Sequence, residues 1–286
     1  MHEVVFVVGP TGAGKSNWAL NEAARVGGVI VNADSIQIYK HLDIGSAKPT
    51  KEDQARVPHF LYSHIDPQDE FTAGDYRRAA WAVLEEQAPL RPVFVVGGSG
   101  FYLQALEKGL YEVGPIPAVI EEKVRVIKEA QQLFEELKKV DPQSATKIGP
   151  NDHYRLQRAL EVVLTEGRTM GEIRESFATS GQRLQEKFPL RKVGIGCERS
   201  ILRARVARRT EDILRQGFVQ EVEGLLRRGY RGTKALASVG YREVVSHLDG
   251  RLHGKDLPDA ILTSTMQLAK RQMTWFKRDS EILWQK

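Results

Sequence analysis

The stretch Val4-Val-Phe-Val-Val8-Gly9-Pro10-Thr11-Gly12-Ala13-Gly14-Lys15-Ser16 decides the fold. A short apolar, mostly β-branched run feeds G-x-x-x-x-G-K-[ST], the pattern of a phosphate-binding loop. Small residues let successive backbone N–H groups turn inward on phosphate oxygens, and the following helix adds the positive end of its dipole. Lys15 supplies a point charge, and the Ser16 hydroxyl is a hard oxygen ligand suited to Mg²⁺. The pattern specifies phosphate strongly and a nucleotide only weakly.

Working outward, residues 29–31 (VIV) and 93–96 (VFVV) repeat the short β-branched run, as expected of buried strands in a parallel sheet. Residues 15–25 and 72–87 have helical spacing, the second opened by Thr72 and stopped near Pro89. The alternation predicts a doubly wound α/β core. From Val113-Gly-Pro-Ile-Pro117 the pattern turns helical, over 118–139 and 152–166, until Arg191-Lys-Val-Gly-Ile-Gly196 resumes the sheet. Residues 199–281 are helical, with turns at Gly217, Gly229–Gly232 and Gly250–Gly254. The expected organisation is a core made of 1–112 and 191–286, interrupted by an all-helical insertion over 113–190.

Composition narrows the function classes. Hydrophobic content of 41% and charged content of 28% suit an ordinary globular chain. The single Cys197 excludes an intramolecular disulfide and is expected to be a small core side chain, and no histidine has metal-ligand spacing. No secretory leader or long apolar span is legible, so the expected location is cytoplasmic, without a membrane partner. The net charge of +5 is uneven: residues 191–286 carry 20 Lys+Arg against 11 Asp+Glu. A basic C-terminal third predicts a polyanionic partner that touches part of the molecule.

A nucleotide-hydrolysing protein with such a loop should offer a second strand ending in an Mg²⁺-holding Asp. Strand 93–96 ends instead in Gly97-Gly98-Ser99-Gly100, a tight turn whose glycines also permit close approach of a ligand. The acid stands after strand 29–31, in Asn32-Ala33-Asp34-Ser35, on the sheet edge where ligands bind in open α/β folds. Asp34 suits a metal ligand, a general base or a helix cap.

Several segments in fixed order resemble the tRNA dimethylallyltransferase (tRNA isopentenyltransferase) family of bacterial type. They are Asp34-Ser-Ile-Gln-Ile-Tyr-Lys40, Leu42-Asp-Ile-Gly-Ser-Ala-Lys-Pro49, Phe71-Thr-Ala-Gly-Asp-Tyr-Arg-Arg78 and Val96-Gly-Gly-Ser-Gly-Phe-Tyr102. Pro150-Asn-Asp-His-Tyr-Arg155-Leu-Gln-Arg158, Val239-Gly-Tyr-Arg-Glu243 and Gln267-Leu-Ala-Lys-Arg-Gln-Met-Thr-Trp275 complete the set. The resemblance implies a P-loop-kinase-like core, and transfer of a five-carbon group from dimethylallyl diphosphate to N6 of the adenosine 3′ of the anticodon. Gly9 to Ser16 would then cradle an isoprenoid diphosphate, with Mg²⁺ on Ser16, and no nucleotide is required.

The same resemblance assigns Asp34 as general base, Ser99 (in place of the family's more usual Thr) on the oxygen being cleaved, and Arg209 on the diphosphate, with Arg205 and Arg208 as alternatives. The target adenine must leave its stack to react, and Asp34, Ser35, Ile36 and Gln37 would read it. Arg155 and Arg158, with Gly240, Tyr241, Arg242, Lys270 and Arg271, are the expected contacts to the tRNA anticodon stem-loop. Trp275 and Phe276 are expected in the core of the last helix rather than on a base. A monomer is expected. Where the family often carries a basic tRNA contact after Pro117, this chain reads Ala118-Val-Ile-Glu-Glu122. The rivals are a P-loop kinase for a small molecule or nucleotide, an isopentenyltransferase using free adenine nucleotides, and a non-catalytic RNA-binding protein.

Overall fold

Consecutive β-branched residues disfavour helix and suit a sheet covered on both faces, and the chain uses them so. The computed structural model describes residues 1–110, 113–180 and 183–285. The strands are β1 (Val4–Val8), β2 (Val29–Asn32), β3 (His59–Phe60), β4 (Val93–Val96), β5 (Leu190–Ile195) and β6 (Leu283–Gln285). They form one six-stranded sheet in the order β3-β2-β4-β1-β5-β6. Every pairing is parallel, with Val4 beside both Val93 and Leu190.

Four helices precede residue 110: α1 (Lys15–Val26), α2 (Lys51–Arg56), α3 (Ala73–Gln87) and α4 (Gly100–Lys108). Five follow in α5 (Ala118–Arg125), α6 (Ala130–Val140), α7 (Pro142–Ile148), α8 (His153–Glu166) and α9 (Met170–Ser180). The rest are α10 (Arg199–Arg215), α11 (Phe218–Arg227), α12 (Tyr241–Leu248) and α13 (Leu257–Phe276). On one sheet face Val5, Val7, Ile30, Phe94, Val96 and Val193 pack with Ala19, Leu20 and Ala23 of α1, Leu202 and Val206 of α10, and Leu262 and Ala269 of α13. The alternate residues Val4, Phe6, Val29, Val31, Val93 and Val95 are buried as well. Burial on both faces is what a parallel sheet between helix layers requires, each such side chain contributing roughly 1.5–3 kcal/mol.

The chain divides into two compact units, Met1–Glu107 with Arg183–Lys286, and Lys108–Gln182. The expected boundary at 112 lies outside the described residues. At the other end, residues 183–190 belong with the sheet rather than with the helices. Phe188 is buried there against Trp81, ring centroids 5.6 Å apart, and Lys187 pairs with Glu85.

In the smaller unit the run expected as one helix over 118–139 is two, α5 and α6. Val124, Leu133 and Leu137 all enter one core with Leu156, Leu160 and Val163. Nine residues are about two and a half helical turns, so in a straight helix Val124 would face away from Leu133; the break at 126–129 brings it round. Asp141 is buried where α6 meets α7, its carboxylate accepting from Ser144 N at 3.0 Å and Met170 N at 2.8 Å. Asp152 caps α8, accepting from Arg155 N at 3.2 Å.

Candidate active site

Each strand of a parallel sheet releases its following loop at the same edge, so the turns after β1, β2 and β4 meet there. After β1, Gly9, Gly12 and Gly14 all take positive φ (143°, 81° and 103°), a backbone that side-chain-bearing residues resist. The turn wraps around Lys15, whose Nζ donates to Pro10 O at 2.8 Å. The amides of Lys15 and Ser16 open α1 and have no intrahelical partner. Thr11 N is taken instead by Gln272 Oε1 of α13 at 2.8 Å, and Gln272 Nε2 donates to Gly98 O at 3.1 Å. Gln272 thus ties the loop after β1 to the loop after β4, a role that no local pattern announced, since its partner lies 261 residues away.

The loop after β2 is fixed by Asn32, which is fully buried. Its Nδ2 donates to Asp34 O and to Leu61 O, each at 3.0 Å, and its Oδ1 accepts from Asp34 N at 2.9 Å. Asp34 Oδ1 accepts from Ile36 N at 2.8 Å and Gln37 N at 3.3 Å; no helix starts here, so Asp34 caps a turn over residues 35–38 rather than a helix, and uses one carboxylate oxygen to do it. Ser99 Oγ accepts from Ser35 N at 2.9 Å, which leaves its proton to donate elsewhere.

The glycines at 97 and 98 make room for packing, as the tight-turn reading expects. A Cβ on Gly97 would lie 2.0 Å from Ala33 O, and one on Gly98 would lie 2.2 Å from Gln272 Nε2. Gly100 lies equally close under the indole of Trp275. Phe276 is buried as expected, whereas Trp275 remains 40% exposed.

The expected arginines separate by position on α10. Arg205 Nη1 donates to Ala13 O at 3.2 Å, on the loop's outer side, and Arg208 is exposed. Arg209 turns inward, its Nη2 donating to Ser46 O at 3.1 Å. Charges converge here. Burial lowers the pKa of Lys15 to about 8; the negative charge of Asp34 opposes that fall and the positive charge of Arg209 adds to it. Burial also lowers that of Arg209, again opposed by Asp34. Beside them stand Tyr62 and Tyr102, whose phenols burial holds protonated well above the usual range, with Asp34 adding to the effect. Tyr102 stacks on Tyr76 with centroids 4.3 Å apart and meets Phe71 edge-on at 6.4 Å. This aromatic wall was missed in the sequence, because its members come from separate loops and helices.

The remaining expected contacts fall differently. Tyr241, expected on the RNA surface, is fully buried; its hydroxyl donates to Glu221 Oε1 at 2.8 Å, so its side chain faces the interior. Gly240 is buried too, its N–H donating to Glu243 Oε2 at 2.7 Å. Arg242 is exposed and engages Glu243 and Ser264, while Lys270 and Arg271 are exposed on α13. In the smaller unit Arg155 and Arg158 are exposed along α8, paired with the cap residue Asp152 and with Glu161 three positions on. Cys197 packs partly buried against the main core. Among the described residues no three His, Cys, Asp or Glu are grouped to hold a metal, and no helix is long and apolar enough to cross a membrane.

Over residues 37–279 the chain matches the family described as IPP transferase. It is 46% identical over 285 residues to a tRNA dimethylallyltransferase of Bdellovibrio bacteriovorus, covering 98% of this chain and 92% of the relative. A tRNA dimethylallyltransferase of Geobacter metallireducens is 42% identical, with 98% and 91% covered. Among solved structures, the full-length tRNA isopentenylpyrophosphate transferase of Bacillus halodurans superposes with a TM-score of 0.72 at 30% identity, covering 100% of this chain and 90% of the other. A eukaryotic dimethylallyltransferase acting on tRNA gives a TM-score of 0.86 at 25% identity, over 99% and 73%.

Proposed function

The chain belongs to the tRNA dimethylallyltransferase family, and from that premise we propose that it moves a dimethylallyl group from dimethylallyl diphosphate to N6 of the adenosine 3′ of the anticodon. The observation that carries this reading is the convergence of Asp34, Lys15 and Arg209 at the edge where the loops after β1, β2 and β4 meet.

The loop Gly9, Pro10, Thr11, Gly12, Ala13, Gly14, Lys15 and Ser16 holds the diphosphate. Lys15, Arg209 and the first amides of α1 stabilise the negative charge that grows on it as the allyl C–O bond breaks. Ser99, already accepting from Ser35 N, donates a hydrogen bond to the oxygen being cleaved and keeps its proton. The exocyclic amine of adenine is a poor nucleophile because its lone pair is delocalised into the ring. Asp34 takes its proton as the C–N bond forms, through the carboxylate oxygen that the turn at Ile36 and Gln37 does not occupy. Tyr62, Tyr102 and Phe71, with fully buried Tyr76 stacked behind Tyr102, offer the five-carbon chain an apolar surface and keep water from the allyl carbon.

Mg²⁺, when bound, would be held by the Ser16 hydroxyl, a hard oxygen suited to it, together with substrate phosphates and water, and would neutralise diphosphate charge. The acceptor adenosine is extruded from its stack and read by Asp34, Ser35, Ile36 and Gln37. Arg155 and Arg158 bind the anticodon stem-loop by its phosphates, as do Arg242, Lys270 and Arg271. We infer that the protein acts as a monomer in the cytoplasm.

A direct assay tests this. The protein is mixed with Mg²⁺, unmodified tRNA bearing adenosine 3′ of its anticodon, and either labelled dimethylallyl diphosphate or γ-labelled ATP. Label from the isoprenoid on that adenosine is the expected result. Phosphate transfer from ATP without prenylation would return the protein to the kinases.

A further inference from the structure

The loop Asp43–Ala47 carries both side-chain anchors of the site, and it is held from a distance. Gln37 Nε2 donates to Ser46 O at 3.0 Å and Ala47 O at 3.1 Å, and Arg209 Nη2 donates to Ser46 O at 3.1 Å. The same loop gives its amides to one carboxylate, that of Glu221 on α11. Asp43 N and Ile44 N donate to Glu221 Oε2 at 2.9 and 2.6 Å, and Gly45 N donates to Oε1 at 3.1 Å. Tyr241 completes the set with its hydroxyl on Oε1 at 2.8 Å.

Packing repeats the message. Gly45 sits on the ring of Phe218, where a Cβ would come within 2.0 Å, and Phe218 meets Tyr241 edge-on at 4.9 Å. Ala47 takes φ +49°, a backbone that a non-glycine residue keeps only where its surroundings over-determine it. Lys48 adds to that determination, its Nζ donating to Tyr39 O, Asp43 Oδ1 and Ser63 Oγ at 2.6–2.8 Å.

We propose that Glu221 is a positioning residue for the transfer reaction: by collecting the amides of residues 43–45 it sets the carbonyls that aim Gln37 at the acceptor base and Arg209 at the diphosphate. The inference rests on the function proposed above. Glu221 touches neither substrate; it acts through the loop. A carboxylate accepts all of these donors at once, whereas an amide has one acceptor oxygen and turns N–H groups toward the others.

The test is Glu221→Gln, read by turnover, by the Kd of inorganic pyrophosphate and of unmodified tRNA, and by melting temperature. The expected result is a loss of about tenfold or more in kcat/KM, the size of losing charge-assisted hydrogen bonds. Both Kd values should rise while the melting temperature falls by only a few degrees. Gln37→Ala should then cost less in the Glu221→Gln background than in the wild type, since coupled residues are not additive. Should Glu221→Gln fail to fold, Tyr241→Phe removes one donor, keeps the ring, and should shift the same quantities by a few-fold. The proposal is overturned if both Kd values are unchanged in the variant that folds, or if the Glu221 and Gln37 effects simply multiply. Absence of prenyl transfer by the wild type would sink the proposed function alone, because the two Kd values read the positioning without turnover.

Discussion

The loop at Gly9–Ser16 and the loop at Asp34–Lys48 leave neighbouring regions of one sheet edge, but they hold their shape by different means. The first is shaped mostly by its own backbone, with Lys15 Nζ reaching back to Pro10 O and glycines supplying the turns, and is tied at Thr11 by Gln272 and at Ala13 by Arg205. The second is shaped by residues far off in the chain, Asn32 with Leu61, Ser99, Arg209 and Glu221. A phosphate is recognised mainly by main-chain amides and charge, most of which a contiguous segment supplies, with Arg209 added from α10. A base must be met by side chains at set angles, and that takes struts from several elements.

If this division is right, damage to the first loop should strike the donor alone, damage to the struts of the second loop should strike both substrates, and damage in the helical unit should strike only the acceptor. The largest effect is expected at Lys15. Lys15→Met should lower kcat/KM for dimethylallyl diphosphate by about 10²–10³-fold, the usual cost of removing a donor to a developing oxyanion. The charge also has a pH signature. With its pKa lowered to about 8, the free enzyme keeps the ammonium charged below that pH and must take up a proton to bind above it. Diphosphate affinity should therefore fall as pH rises through 8, by up to about tenfold per pH unit, with tRNA affinity flat. Lys15→Arg should flatten the profile. A pH-independent Kd in the wild type would contradict the burial-driven shift.

The smallest effect is expected in the helical unit. Arg155 and Arg158 make local pairs with Asp152 and Glu161, exposed to solvent. Arg155→Ala and Arg158→Ala should each raise the KM for tRNA a few-fold and reduce the salt dependence of tRNA binding by about one phosphate contact. The KM for dimethylallyl diphosphate should stay put. A change in donor KM would blur the division that the two loops suggest.

The same contrast explains what could be read in advance. β1, β2, β4 and the helix capped by Thr72 were legible because their signals are local: β-branched runs, and a Thr72–Asp75 capping box. β3 was too short to carry a period, and β6 is a three-residue strand that pairs with distant β5, Val193 beside Leu283 and Ile195 beside Gln285. In the site, Asp34 and Ser99 were legible from their places just past strand ends. Glu221 and Gln272 were not, because each acts on main-chain groups more than 170 residues away, and nothing in helical spacing marks them. Tyr241 was misjudged for a related reason: its motif marks a buried strut as readily as a surface contact. Lys192 on β5 is a similar case, a buried lysine whose Nζ meets Glu107, Asp279 and Glu281 at 2.7–2.8 Å.

The central claim is that Asp34 removes the proton from the acceptor amine while one of its oxygens keeps the turn. Asp34→Asn retains an oxygen able to accept from Ile36 N and Gln37 N but is no longer a base. Single-turnover prenylation measured beside tRNA affinity tests this most directly. The account predicts a rate loss of about 10²–10⁴-fold, the usual range for general-base removal, with tRNA Kd within about twofold of wild type. An unchanged rate would contradict the account, and so would a loss of tRNA affinity large enough to explain the lost rate.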